Sequence, residues 1–206
     1  NSFLIFRDAH PFIKFNVCVD NNVSDVSMLG GVHTLDLSGC RNVSDVSMLG
    51  AVHTLDLSGC NVSDVSMLGA VHILNLKRCN KVYDVSMLGG VHHLDLSRCE
   101  NVSDVSMLGG VHTLNLSECD NVSDVSKLGG VHTLDLGGCK VSDVSKLGGV
   151  HTLDLGGCDN VYDVSMLGNL HTLSLKRCKN VSDVSMLGGV HHLDVRRCEN
   201  LVLLCW

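Results

Sequence analysis

The stretch VHTLDLSGC at residues 32–40 returns unchanged at residues 52–60, and the eleven residues between the copies read RNVSDVSMLGA. Leu35-x-Leu37 has the two-residue period of a strand. The segment that follows changes direction too often for a long helix or a second long strand. Each copy therefore reads as one short strand and a tight return.

The same phrase recurs every 19 or 20 residues, with units beginning at Phe12, Val32, Val52, Val71, Val91, Val111, Val131, Val150, Leu170 and Val190. Taking Val32 as position 1, the apolar residues fall at positions 1, 4 and 6 (Val32, Leu35, Leu37), then at 12, 15 and 18 (Val43, Val46, Leu49), with Cys40 at position 9. One unit has no way to bury seven inward side chains, but stacked units share a continuous core. Strands about 4.8 Å apart would pair in parallel and make a coil on the order of 50 Å long.

On these residues the chain resembles the leucine-rich repeat family. VHTLDLSGC matches L-x-x-L-x-L-x-x-N/C, and RNVSDVSML supplies the later aliphatic positions. The DVSxL half is similar to repeats of internalin-like and protist surface proteins, and the cysteine at position 9 to the cysteine-containing subclass. The resemblance implies an α/β-type repeat solenoid, with a parallel β-sheet on the concave face, short 3₁₀ or irregular turns on the convex face and few or no long helices. It also implies a binding module. Residues 1–11 read as an N-terminal cap or flank, with Phe3, Ile5 and Phe6 covering the first coil, and 12–206 as a solenoid of about ten units, the last incomplete.

Within SDVSMLGA, Asp45 is placed to accept backbone amides and cap one turn of 3₁₀-like chain. Gly50 is expected to supply unusual φ values that lead back into the strand. The Asp45 column continues at Asp25, Asp64, Asp84, Asp104, Asp124, Asp143, Asp163 and Asp183; recurrence in every unit assigns it to turn geometry rather than catalysis. The two 19-residue units lose a residue just after Cys60 and Cys139, which reads as a shortened surface turn.

Of eleven cysteines, nine stand at position 9, a copied position rather than pairs chosen for bridging. A linear column does not converge tetrahedrally on zinc, so buried free thiols are expected, and no metal or cofactor. Free thiols favour a reducing, cytoplasmic setting. The N-V-S sequons at Asn22, Asn42, Asn61, Asn101, Asn121 and Asn180 favour a secreted or cell-surface one instead. A net charge of −7 opposes nucleic-acid binding, and no apolar run is long enough for direct membrane insertion.

Histidines His33, His53, His72, His92, His112, His132, His151, His171 and His191 fill position 2. They are expected to cover the sheet margin, to hydrogen-bond across turns and to cost stability near or below pH 6. Positions 3, 5 and 7 should emerge on the concave face. There Asp36, Asp56, Asn75, Asp95, Asp135, Asp154 and Asp194 form an acidic file at position 5. Lys77, Arg78, Arg98, Lys176, Arg177, Arg196 and Arg197 place basic patches beside it, and His93 and His192 double the histidine. With His93, these fifteen residues are the candidate protein-binding surface. No unique Ser/His/acid set or phosphate-cradling loop is present, so the chain reads as a non-catalytic protein-interaction module for a basic or mixed-charge protein surface. The alternative is a structural spacer or an array that self-associates end to end, in which the segment Leu203–Trp206 takes part.

Overall fold

A computed structural model describes residues 23–201 and the backbone of Lys14–Asn16. The cap expected over residues 1–11 and the end segment Leu203–Trp206 lie outside the described residues. Ten three-residue strands, β1 (Lys14–Asn16), β2 (Thr34–Asp36), β3 (Thr54–Asp56), β4 (Ile73–Asn75), β5 (His93–Asp95), β6 (Thr113–Asn115), β7 (Thr133–Asp135), β8 (Thr152–Asp154), β9 (Thr172–Ser174) and β10 (His192–Asp194), form one parallel sheet in chain order. Position 4 pairs with position 4 throughout, Leu35 with Leu55 and Leu94 with Leu114, so neither single-residue deletion shifts the register. The ladder continues past the assigned strands through Leu37 N–H to Asp56 O at 2.8 Å and Gly39 N–H to Ser58 O at 2.7 Å.

The inward pattern holds. Val32, Leu35, Leu37, Cys40, Val43, Val46 and Leu49 are each exposed by 2% or less, and the following coils repeat this arrangement as far as Cys178, beyond which Val184, Val190, Val195 and Cys198 are partly buried and Leu193 is exposed. The return is a 3₁₀ turn such as Ser47–Leu49, the longest among the described residues being Ser86–Gly90 and Ser106–Gly110. No α-helix occurs among the described residues, and no helix there is long and apolar enough to cross a membrane.

The Asp45 column does what its spacing implies. The Ser47 amide donates to Asp45 Oδ1 at 3.0 Å, and the other eight aspartates repeat the bond at 2.8 to 3.0 Å. The amide and the hydroxyl of the same serine favour the ionised carboxyl, the hydroxyl more at Asp64, Asp104 and Asp143 and the amide more at the other six, and hold all nine below the ordinary carboxylate pKa.

Gly50 departs from expectation. Its φ of −62° is ordinary right-handed backbone. Glycine is needed there for space, because an added Cβ would run into the carbonyl oxygen of Met67 in the next coil. The shortened turns are confirmed: Val43 N–H closes onto Cys40 O at 3.1 Å where the extra residue exists, whereas the two residues after Cys60 run on without a turn.

The thiols are inward, and each bonds to the coil before it. Cys60 Sγ donates to Leu37 O at 3.0 Å and Cys79 Sγ to Leu57 O at 3.0 Å, a relation continued through Cys198. Burial pushes Cys60 up to about 11 and Cys79 to about 12, so neither is a nucleophile at neutral pH. Cys60 to Cys198 are free thiols as expected; Cys40 differs, being disulfide-bonded.

Candidate functional site

The acidic file is built into the turn that leaves each strand. Asp56 Oδ1 accepts the Ser58 amide at 2.8 Å, Asp95 that of Ser97 at 2.8 Å, Asp135 that of Gly137 at 2.8 Å and Asp154 that of Gly156 at 2.7 Å. Asp36, Asn75 and Asp194 make the same bond to Ser38, Lys77 and Arg196. These side chains are partly buried, Asp36 almost wholly. Burial is the main influence on Asp135 and raises its pKa, with Asp154 and Asp95 adding to the effect against the Gly137 amide. The file therefore has a local structural reason to recur: an Asx-type turn closes strands β2 to β8 and β10.

Position 8, just beyond that turn, takes the left-handed conformation in every described coil. Glycine holds it at Gly39, Gly59, Gly138 and Gly157, with φ of 72° to 77°. Arg78, Arg98, Glu118, Arg177 and Arg197 hold it at φ of 57° to 64°. A side chain there costs about 1 to 2 kcal/mol that glycine escapes. Four nearly identical coils avoid that cost, and five accept it.

Those residues fall into two patches. Arg78 N–H donates to Ser97 O at 2.9 Å, which sets Lys77 and Arg78 beside the coil of Arg98. Arg177 N–H donates to Arg196 O at 3.0 Å, which sets Lys176 and Arg177 beside Arg196 and Arg197. Between the patches lie the coils of Glu118, Gly138 and Gly157, so the strands β5 and β9 are about 19 Å apart. Arg98 meets Glu118 at 2.7 Å, and Arg196 pairs with Asp194, which lowers the Asp194 carboxyl to about 2. Lys77, Arg78, Lys176, Arg177, Arg196 and Arg197 remain exposed. The fifteen candidate residues are thus split between half-buried turn closers and cations that are exposed except for the half-buried Arg98, with His93 half-buried among other rings.

The histidines stack rather than hydrogen-bond across turns. Rings of His92 and His112 lie 4.6 Å apart at 9°, and those of His112 and His132 4.7 Å apart at 9°. Their hydrogen bonds run within the coil, His112 Nδ1 with Thr113 Oγ1 and His132 Nδ1 with Thr133 Oγ1, both at 3.3 Å. The backbone supplies the bonds between coils: His53 O accepts both His72 N–H and Ile73 N–H at 3.0 Å.

Burial and neighbouring rings disfavour charge at His53 and His171. Partial dehydration first, then the neighbouring rings His33 and His72, holds His53 below the usual 6.5; His171 is lowered by dehydration and by His151, His191 and His192. A depressed histidine takes its proton earlier in the unfolded chain, so stability is full above pH 6.5 and declines as pH falls through the folded value. We expect a lower urea midpoint at pH 5.0 than at pH 7.5, measured with a chelator present. The capping aspartates act below pH 3.8 and do not contribute in that window. Equal midpoints would remove the ladder as a source of acid sensitivity.

The asparagine column also has a structural reason. Asn61 Nδ2 donates to Arg41 O at 2.6 Å and Asn121 Nδ2 to Glu100 O at 2.7 Å, each to the preceding coil. Asn160 and Asn200, which begin no sequon, make the same bond to Lys140 O and Lys179 O. The bond recurs with or without the glycan signal.

One surface column escaped the sequence reading. Met28, Met48, Met67, Met87, Met107, Met166 and Met186 at position 17 are 57% to 64% exposed, with Tyr83 and Tyr162 also exposed. Their place between inward positions 15 and 18 was the available signal, since an apolar residue there does not face the core.

No protein-family model and no curated protein matches the chain. Among solved structures it is similar to the functional domain of InlJ from Listeria monocytogenes, which includes a cysteine ladder, at 21% identity and a TM-score of 0.68 over 90% of this chain and 44% of that one. It is also similar to internalin InlF from L. monocytogenes, at 21% identity and 0.64 over 88% and 67%. The mouse RP105/MD-1 complex supplies a third likeness, at 20% identity and 0.56 over 84% and 40%. The chain thus spans under half the length of two of these three structures. A one-residue register repeated through ten parallel strands, 3₁₀ returns and an inward ladder of leucine, valine and thiol make this chain a leucine-rich-repeat solenoid.

Proposed function

We propose that the chain is a non-catalytic protein-binding module, and that its partner is read by the arginine-bearing turns beside the concave strand face. The observation that carries this is the left-handed backbone of Arg78, Arg98, Arg177 and Arg197. Local strain retained where glycine would relieve it, in a chain where four other coils have glycine, marks residues kept for what they contact. The aspartates keep their charge but are half-buried in their own turns, so the exposed charge at positions 7 and 8 is basic apart from Glu118. Guanidinium forks suit carboxylates, so the partner surface is mixed-charge with acidic groups facing the two patches. One structural neighbour, RP105, is seen in complex with the protein MD-1.

The test uses the quadruple variant Arg78→Gly, Arg98→Gly, Arg177→Gly and Arg197→Gly, which keeps the left-handed turns. Proteins cross-linked to the wild-type chain at low salt should be lost from the variant and weakened for the wild type by added salt. Equal capture by both chains would sink the arginine assignment and favour the spacer or self-associating array, which needs none of these residues.

A further inference from the structure

We propose that His72, His92 and His93 form a three-histidine site for a divalent transition-metal ion of the zinc class. This goes beyond protein binding and does not depend on it. The three residues each offer a ring nitrogen, and these nitrogens lie within 4.8 Å of one another, the one such histidine, cysteine or acid group among the described residues. His72 and His92 are successive rungs of the ladder, 4.7 Å apart at 26°. His93 opens β5, and its ring stands edge-on to both, 4.5 Å from His92 at 67° and 6.0 Å from His72 at 88°.

A second observation comes from the hydrogen bonds. In the coils of His33, His53, His112, His132 and His151 the histidine Nδ1 is bonded to the threonine at position 3, at 3.2 to 3.3 Å. In the His92 coil that threonine is His93. His92 Nδ1 is buried there with no hydrogen-bond partner, the single such side-chain atom found among the described residues. A buried polar atom without a partner costs stability, because it has given up water and gained nothing in return. The same replacement that removes its partner brings in a third imidazole, and metal coordination would use the ring nitrogens so assembled.

The donor set selects the ion. Three imidazoles suit zinc, copper, nickel and cobalt, whereas magnesium and calcium take oxygen ligands. Zinc–nitrogen bonds of about 2.0 to 2.1 Å require the nitrogens to close in, by rotation of the exposed His72 and half-buried His93 rings. Three protein ligands leave one position of a tetrahedron for water. His171, His191 and His192 provide an internal control, because they repeat the sequence arrangement one histidine doublet further on. His192 lies 5.3 Å from His171, yet this trio does not bring its nitrogens into one group.

Titration of the chelator-treated chain with zinc chloride, followed by calorimetry, should show one tight site per chain above any weak binding by stacked pairs. Cobalt(II) in its place should give visible absorption bands of tetrahedral intensity. His93→Thr, which restores the residue of most other coils, should weaken that site more than about 100-fold, beyond the usual effect of losing a supporting residue. His192→Thr should leave the titration unchanged, and His72→Gln should repeat the loss. Urea midpoints of the variants in chelator report folding separately. Retention of the tight site in a folded His93→Thr chain, equal loss in His192→Thr, or several equivalent weak sites from a surface histidine ladder only would overturn the proposal.

Discussion

Gly89→Ala is expected to destabilise the chain by about 2 to 3 kcal/mol. A Cβ at Gly89 would enter the space of the Met107 carbonyl oxygen in the next coil, and a backbone atom does not swing aside as a side-chain tip does. The sequence offers its own comparison at position 20, where Ala51 and Ala70 replace the usual glycine. No coil replaces the glycine before it. Urea denaturation checks the expectation, and a midpoint equal to that of the unsubstituted chain would mean that the coils separate freely to admit a methyl group.

That glycine shows which part of the fold was legible in the chain. Periodicity assigned every inward side chain, because burial is decided by direction alone and direction repeats with the coil. Val32, Leu35, Leu37 and Cys40 needed no coordinates. The Asp45 column was legible for a similar reason, since its partner, the Ser47 amide, is two residues away. What periodicity does not contain is the distance from one coil to the next. Gly50 reads alone as a conformational device, and only the neighbouring carbonyl shows that it is a spacing device. The histidines likewise read as margin residues seeking hydrogen bonds. A 4.6 to 4.7 Å rise between rungs instead sets their rings at stacking distance. The candidate surface was half legible. Which residues vary was plain, but the acidic file and the arginines looked like one mixed-charge surface until Asp56 and its equivalents were seen bonded to their own turns.

Replacing Arg78, Arg98, Arg177 and Arg197 by glycine is expected to raise stability, by about 0.5 to 1 kcal/mol at each site and about 2 to 4 kcal/mol together. The left-handed conformation at φ of 60° to 64° costs an arginine about 1 to 2 kcal/mol that glycine escapes. Part of that gain is returned because glycine leaves the unfolded chain more freedom. Arg98 should gain least, since its exposed ion pair with Glu118 is worth up to about 1 kcal/mol. The pairs 78 with 98 and 177 with 197 sit on adjacent coils, so their effects need not add. The reverse substitution, Gly138→Arg, should lower stability by a comparable amount at a coil where no arginine stands. Urea midpoints of the five single variants measure each step. A gain in stability with a loss of partner capture is the signature of residues held for contact. A loss of stability in the glycine variants would instead mean that the arginine stems pack against their own coils, and the recognition role built on their strain would fall with it.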